Sequence, residues 1–315
     1  MKLTKGILIT LLAATLAVSC ISEDIEDCYS INYLQFSYRG DGETEIFGDK
    51  INRVELFVFD EQNRLVNSKV VSDEDVALRT TQLPPLRAGN YHIVCIGNTH
   101  NTRAAALESA DYTKMFFAND ELHNGVQQHG DDSLYFATKD YSIEDYATQK
   151  VYHTETAEFA SSHYDLLVEV VGVPAAEAAS APGLRKDGAR AAGAAGYMKM
   201  CGVTPRTDFN NKVTGDPADY ELETTYDAAT MTLTARTNIM RHTNHADVNL
   251  RFYGNAAATE PLVTVNLAQF LAEHKSIDCS KHEVMIPIRI DFRSADVIVT
   301  VPEWYIQEVT PEFDK

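Results

Sequence analysis

Apolar and polar residues alternate with a period of two through most of this chain, and that period restricts it to sheets rather than helix bundles. In residues 31–38, Leu34, Phe36 and Tyr38 share one face, which predicts a half-buried strand. In residues 53–59, Val54, Leu56 and Val58 oppose Arg53 and Glu55, while Phe57 and Phe59 make the second face apolar as well, which predicts a central strand. Residues 60–63 (DEQN) read as a turn and 65–71 as the returning strand. The loop 83–89 (LPPLRAG) leads into a further strand over 90–96.

Residues 98–148 break the alternation. There the sequence predicts a short helix over 102–110 and a polar loop around His123, His129, Asp131 and Asp132. Strands resume over 149–159 and 164–171, where Tyr164, Leu166, Val168 and Val170 form one face. The Ala/Gly-rich stretch 174–196 reads as a mobile surface loop. Beyond it, Met231/Leu233/Ala235, Val248/Leu250/Phe252 and Val284/Ile286/Ile288/Ile290 alternate with polar neighbours. The one well-marked helix is 267–274, with Asn266 as N-cap and Leu267, Phe270, Leu271 and His274 at helical spacing. A strand over 295–301 and an extended tail past Trp304 close the chain. Many short strands without alternating helices predict an all-β protein of two tandem antiparallel β-sandwich domains, residues 29–160 and 161–315, with one or two short helices.

The N-terminus carries a separate instruction. Lys2 and Lys5 precede the short apolar run 6–18, and the small residues 17–19 precede Cys20. The run is shorter than the roughly 20 residues a spanning helix needs, so residues 1–19 read as a cleaved signal peptide. A cysteine placed directly after such a site is the lipobox arrangement of a bacterial lipoprotein, with lipid on Cys20. An acidic tether follows in residues 20–28, with four acids in 21–27, resembling the export signal for the outer face of the outer membrane in Bacteroidota. Loss of Lys2 and Lys5 would move the formal charge from −19 to −21, which disfavours nucleic acid and anionic lipid as partners. Four further cysteines, Cys28, Cys95, Cys201 and Cys279, would sit in an oxidising compartment. A two-domain chain favours the pairs Cys28–Cys95 and Cys201–Cys279 over the other connectivities, whereas the apolar run around Cys95 favours a buried free thiol.

Catalytic signatures are missing. No histidine falls in H-E-x-x-H or a close i, i+4 pair, and there is no G-x-S-x-G, P-loop or G-x-G-x-x-G. The acidic run 41–45 lacks the glycine and the terminal acid of a calcium loop, with Ile46 and Asn52 in those places. Asp132-Ser133-Leu134 fits a loose O-glycosylation pattern. No metal, cofactor or catalytic residue is expected.

The lipobox at Cys20, the pair Phe36/Tyr38 followed by 54–60 (VELFVFD), the turn 86–91 (LRAGNY) entering a strand that ends Ile96-Gly97-Asn98, the stretch 263–267 (VTVNL) and the closing strand into Trp304 recur in order. In these features the chain resembles the FimB-type fimbrial anchoring subunits of the Bacteroidales, lipoproteins of the type V pilus system. The resemblance implies transthyretin-like sandwiches, no catalysis, a lipid-held place on the outer membrane facing the exterior, and fimbrial pilin subunits as partners. It also implies strand pairing with a pilin, for which the segment 304–309, with Trp304, Ile306 and Val309, is the candidate strand. The alternative is a glycan-binding or adhesin lipoprotein, which would need exposed aromatic residues clustered beside polar groups.

Overall fold

The structure is a computed structural model that describes residues 31–109, 114–144, 152–173, 196–241 and 245–307. The first half runs β1 (Ile31–Ser37), α1 (Phe47–Lys50), β2 (Val54–Asp60), β3 (Leu65–Val70), α2 (Asp73–Leu78), β4 (Thr80–Gln82), β5 (Gly89–Gly97), β6 (Thr102–Ala105), β7 (Phe116–Asn119), α3 (Asp120–His123), β8 (Tyr135–Ile143), β9 (Tyr152–Glu158) and β10 (Ala160–Ser161). The second runs β11 (His163–Val171), β12 (Tyr197–Val203), β13 (Arg206–Asp208), β14 (Val213–Thr214), β15 (Ala218–Glu221), β16 (Thr224–Asp227), β17 (Thr232–Met240), β18 (Asn249–Tyr253), β19 (Val263–Asn266), α4 (Leu267–Glu273), β20 (Met285–Asp291), β21 (Ile298–Thr300) and α5 (Glu303–Gln307).

Two sandwiches result. In the first, the sheet β4-β1-β9 faces β10-β8-β5-β2-β3. Leu34 and Phe36 of β1 meet Leu56, Val58, Ile93, Cys95 and Tyr141 between them. In the second, β16-β17-β11-β20-β21 faces β15-β12-β18-β19 over Leu166, Val168, Met198, Met200, Leu250, Phe252, Ile286 and Ile288. On β1, β2, β11, β18 and β20 these are the inward faces that the alternation marks, because side chains two apart on a pleated strand point the same way. The sandwiches are not purely antiparallel: β1 runs parallel to β9 and β11 parallel to β20.

Local chemistry fixes the turns and the main helix. Oδ1 of Asp60 accepts the backbone N–H groups of Gln62 and Arg64, both at 2.9 Å, which closes the β2–β3 hairpin. Asn266 caps α4 by accepting from the Gln269 N–H at 3.0 Å, and Leu267 and Phe270 are buried beneath it, as the spacing predicts.

Two sequence expectations are corrected here. Residues 102–105 form a strand, not the start of a helix, because β6 pairs with β7 from Thr102↔Asn119 to Ala105↔Phe116. Pairing between distant segments outweighs the helix preference of the alanines. Helices are also more numerous than expected, with five short ones among the described residues. The Ala/Gly-rich residues 174–195 lie outside the described residues.

The sandwiches are joined by a third sheet, β14-β13-β7-β6, in which Arg206 pairs with Ala118, Thr207 with Phe117 and Asp208 with Phe116. It places Phe209 and Phe117 over the outer face of β2, in a cluster of Phe57, Phe59, Val94, Ile96, Met115, Leu134 and Met240. Phe117 and Phe209 stack at 4.3 Å, and Phe209 meets Phe57 and Phe59 edge-on at 5.2 and 5.4 Å. Truncating Phe209 removes the ring that all three partners share. Phe209→Ala is expected to cost about 3–5 kcal/mol in urea unfolding, and to loosen the joint between sandwiches before either core, read as earlier loss of amide protection in β6 and β7.

Candidate functional site at the junction and the sheet edges

The loop before β8 lies across the second sandwich, so the junction is polar as well as aromatic. Asp131 N–H donates to the carbonyl of Asn238 at 3.0 Å, and the side chain of Gln127 donates to the carbonyl of Asp219 at 2.8 Å. Gly130 makes this approach possible: at φ +152°, a Cβ on it would stand 1.8 Å from Oγ1 of Thr237. At the other end of the seam Glu283 is a hub. It accepts from the hydroxyls of Tyr38 and Tyr135 and pairs with Lys50 at 2.6 Å, so a residue of the second sandwich is held by three of the first. The Asp41 carboxylate accepts the N–H of His282 beside it.

Burial alone would raise the Glu283 pKa, but Lys50 and the two tyrosine hydroxyls outweigh it and hold the carboxyl below the ordinary glutamate value. Burial and the Glu283 charge in turn raise Tyr38 and Tyr135, which therefore stay protonated as donors. A cleft of about 600 Å³ beside the hub is lined by Lys50, Tyr135, His163, Asp165, Arg236 and Glu283. Its charges answer one another, Lys50 with Glu283 and Arg236 with Asp165, which is the arrangement of a seam that holds two parts together.

Asp131 is the exception. Its carboxyl is buried, Oδ2 accepts from the Tyr220 hydroxyl at 2.8 Å, and Oδ1 has no hydrogen-bond partner among the described residues. Burial pushes its pKa up to about 8, helped by the charges of Asp132 and Glu121 and opposed by hydrogen bonds from Tyr220 and the Met240 backbone. The folded chain therefore keeps this proton up to about pH 8, whereas an unfolded aspartate releases it near ~4. Between those values the folded state binds more protons, so the stability linked to this group is full below about pH 4, falls by roughly 1.4 kcal/mol per pH unit and is gone above the folded pKa. Asp131→Asn keeps an acceptor for Tyr220 and cannot ionise. Urea unfolding at pH 4, 6 and 8 is expected to show the variant gaining on the wild-type chain as pH rises; a constant difference between the two would refute a proton held at Asp131.

The residues singled out from sequence fall in separate places. Cys20, Cys28 and Val309 lie outside the described residues. Cys95, Cys201 and Cys279 stand as free thiols in the structure, with Cys95 and Cys201 buried. Cys95 faces the first core and Cys201 sits on β12 opposite Asn249. The Tyr164 hydroxyl donates to the Cys279 backbone carbonyl at 3.5 Å. Of the segment 304–309, the described part is helical: Glu303–Gln307 is helix α5, which contains Trp304 and Ile306, with Tyr305 N–H bonded back to the carbonyl of Pro302. His123, His129, Asp131 and Asp132 do not converge on a metal. His129 bonds to Glu121 at 2.8 Å, Asp132 accepts from Asn101 and Thr102, and no group of three such ligands occurs among the described residues. Asp132 of the glycosylation pattern is buried by those contacts.

Strand edges are the remaining surfaces suited to partners. Among the described residues the outer strands include β3, β9 and β21. Lys69 guards β3, and Glu155 and Glu158 guard β9, in the way that charge blunts an open edge. Strand β21 is Ile298-Val299-Thr300, uncharged, with Val297, Ile298 and Trp304 exposed around it. Among the described residues the strongly exposed aromatic side chains are Tyr152, on β9, and Trp304, on α5.

Among the described residues no helix is long and apolar enough to cross a membrane. Compared with curated protein sequences, the chain finds no match. Among solved structures it is similar to the fimbrial anchor protein Mfa2 from Porphyromonas gingivalis, with 17% identity and a TM-score of 0.63 over 86% of this chain and 95% of that one. A candidate adhesin from Bacteroides ovatus superposes with a TM-score of 0.65 at 14% identity, covering 88% of this chain and 94% of that one. A candidate polysaccharide-binding protein from Bacteroides thetaiotaomicron gives 0.61 at 13% identity, covering 88% and 99%. At such identities these likenesses speak for the shared fold. The sequence itself matches a family over residues 25–310, nearly the whole of both sandwiches. The chain belongs to the family of fimbrillin-A associated anchor proteins Mfa1 and Mfa2.

Proposed function

We propose that this protein is an outer-membrane lipoprotein that holds a fimbrium to the cell surface, lipidated on Cys20 and joined to the adjoining pilin by strand pairing. The observation that carries the reading is the family match across residues 25–310, together with two sandwiches fastened by a shared sheet and the Glu283 hub. The family role is structural, and the paired charges along the junction suit it. In this reading residues 1–19 are removed, residues 20–28 form the tether, and the domain change falls between β10 and β11. Cys20→Ala is expected to leave the protein folded and to release fimbriae into the medium, measured by fractionation and electron microscopy. Fimbriae that stayed cell-bound at normal length would exclude anchoring through this residue.

The pilin contact is assigned to the β21 edge. Backbone N–H and C=O groups on an open edge pair with an incoming strand, and the uncharged β21 offers no electrostatic barrier to it. Ile298→Lys puts a charge on this edge at an exposed position. It is expected to abolish co-purification of pilin with the membrane-extracted protein while thermal unfolding stays unchanged. Undiminished capture of pilin would move the contact to another edge. The glycan-binding alternative has less support, since among the described residues only Tyr152 and Trp304 are strongly exposed aromatic side chains, and they lie on separate elements, β9 and α5.

A further inference from the structure

The first and last long strands of the first sandwich lie side by side and point the same way. Strand β1 pairs with β9 in parallel over seven positions, from Ile31↔Tyr152 to Ser37↔Glu158, and the Phe159 N–H continues the contact to the carbonyl of Ser37 at 2.8 Å. Ten residues separate Cys20 from the start of β1, and the chain leaving β9 passes through β10 directly into β11 of the second sandwich. We infer that the β1–β9 ladder is a shear clamp that carries tension between the N-terminal tether and the second sandwich. The inference rests on the anchoring reading for its biological use.

The geometry is what makes this pair strong in one direction. Tension on the tether draws β1 toward its N-terminal end, and tension on the second sandwich draws β9 toward its C-terminal end. In a parallel pair those two ends are opposite, so the pull runs along the strands and the ladder bonds between them share it together. An antiparallel pair loaded from the same two termini would be pulled from one end and would open one rung at a time.

Three features oppose sliding. On its other side β1 also pairs antiparallel with β4, so it cannot leave without breaking a second ladder. Leu34 and Phe36 are fully buried, with Phe36 stacked on Phe47 at 5.7 Å and edge-on to Phe159 at 5.9 Å. The hydroxyl of Tyr141, on the facing sheet, lies 3.3 Å from the carbonyl of Tyr33 and 3.1 Å from that of His153, clipping β1 and β9 from below.

Single-molecule pulling on the folded chain, with Cys20 replaced by serine, tests the clamp. One arm uses a handle ahead of residue 20 and a second handle at the C-terminus. The other arm moves the first handle to Glu43, in the exposed loop after β1, where both strands are drawn from the same end. The first arm is expected to rupture at no less than about twice the force of the second, since rungs that break together resist more than rungs that break in turn. A bolt across the register pair Gln35↔Thr156, made as Gln35→Cys with Thr156→Cys, is expected to raise the first arm's rupture force when oxidised and to restore it when reduced. Equal forces in the two arms, or a bolt without effect, would overturn the clamp. Because the pulled chain carries no lipid, this outcome is independent of whether Cys20 is acylated in the cell, which the fractionation of Cys20→Ala decides separately.

Discussion

The stack of Phe209 on Phe117, over Phe57 and Phe59, is the contact on which the rest of the molecule depends. A two-sheet sandwich needs to bury only its inner faces, yet β2 is apolar on both. Its outer face has to be covered, and neither half of the chain covers it alone. The first half supplies the β6–β7 hairpin and the second supplies β13 with Phe209. The two sandwiches are therefore parts of one buried surface.

Around that contact, polar groups set the orientation that apolar packing leaves loose. Hydrophobic burial is non-directional, whereas the Glu283 hub and the Asp131–Tyr220 bond demand particular angles and distances. Glu283 is answered by a cation and two hydroxyls, so it stays charged. Asp131 is pushed up by its burial and by the nearby Asp132 and Glu121 charges, and keeps a proton instead. One seam thus holds two carboxyl groups in opposite protonation states, each fixed by what surrounds it.

Much of the fold was legible in the chain. The inward faces of β1, β2, β11 and β20 follow from alternation, and α4 from its N-cap and spacing. Strand β8 is hidden in the sequence although Tyr135, Ala137, Tyr141 and Ile143 alternate, because the polar Lys139 stands in the middle of their face. Strand β6 was misread because alanine favours helix and its partner lies more than ten residues on. The junction left only one trace, the second apolar face at Phe57 and Phe59. Nothing near Glu283 or Asp131 in sequence points to Tyr38, Tyr135 or Tyr220, which are separated from them by 89 to 245 positions.

The sequence by itself determined the all-β class and the inward faces of the alternating strands, since both depend on neighbouring residues or on a local period. The tertiary structure decided what depends on distant segments meeting: the parallel pairing of β1 with β9, the sheet shared between sandwiches, the free thiols and the helix past Pro302. A strand's own pattern says which side is buried. It does not say which strand lies beside it or in which direction that strand runs, because backbone hydrogen bonds are the same for every residue and only packing of the whole chain selects among the possible partners.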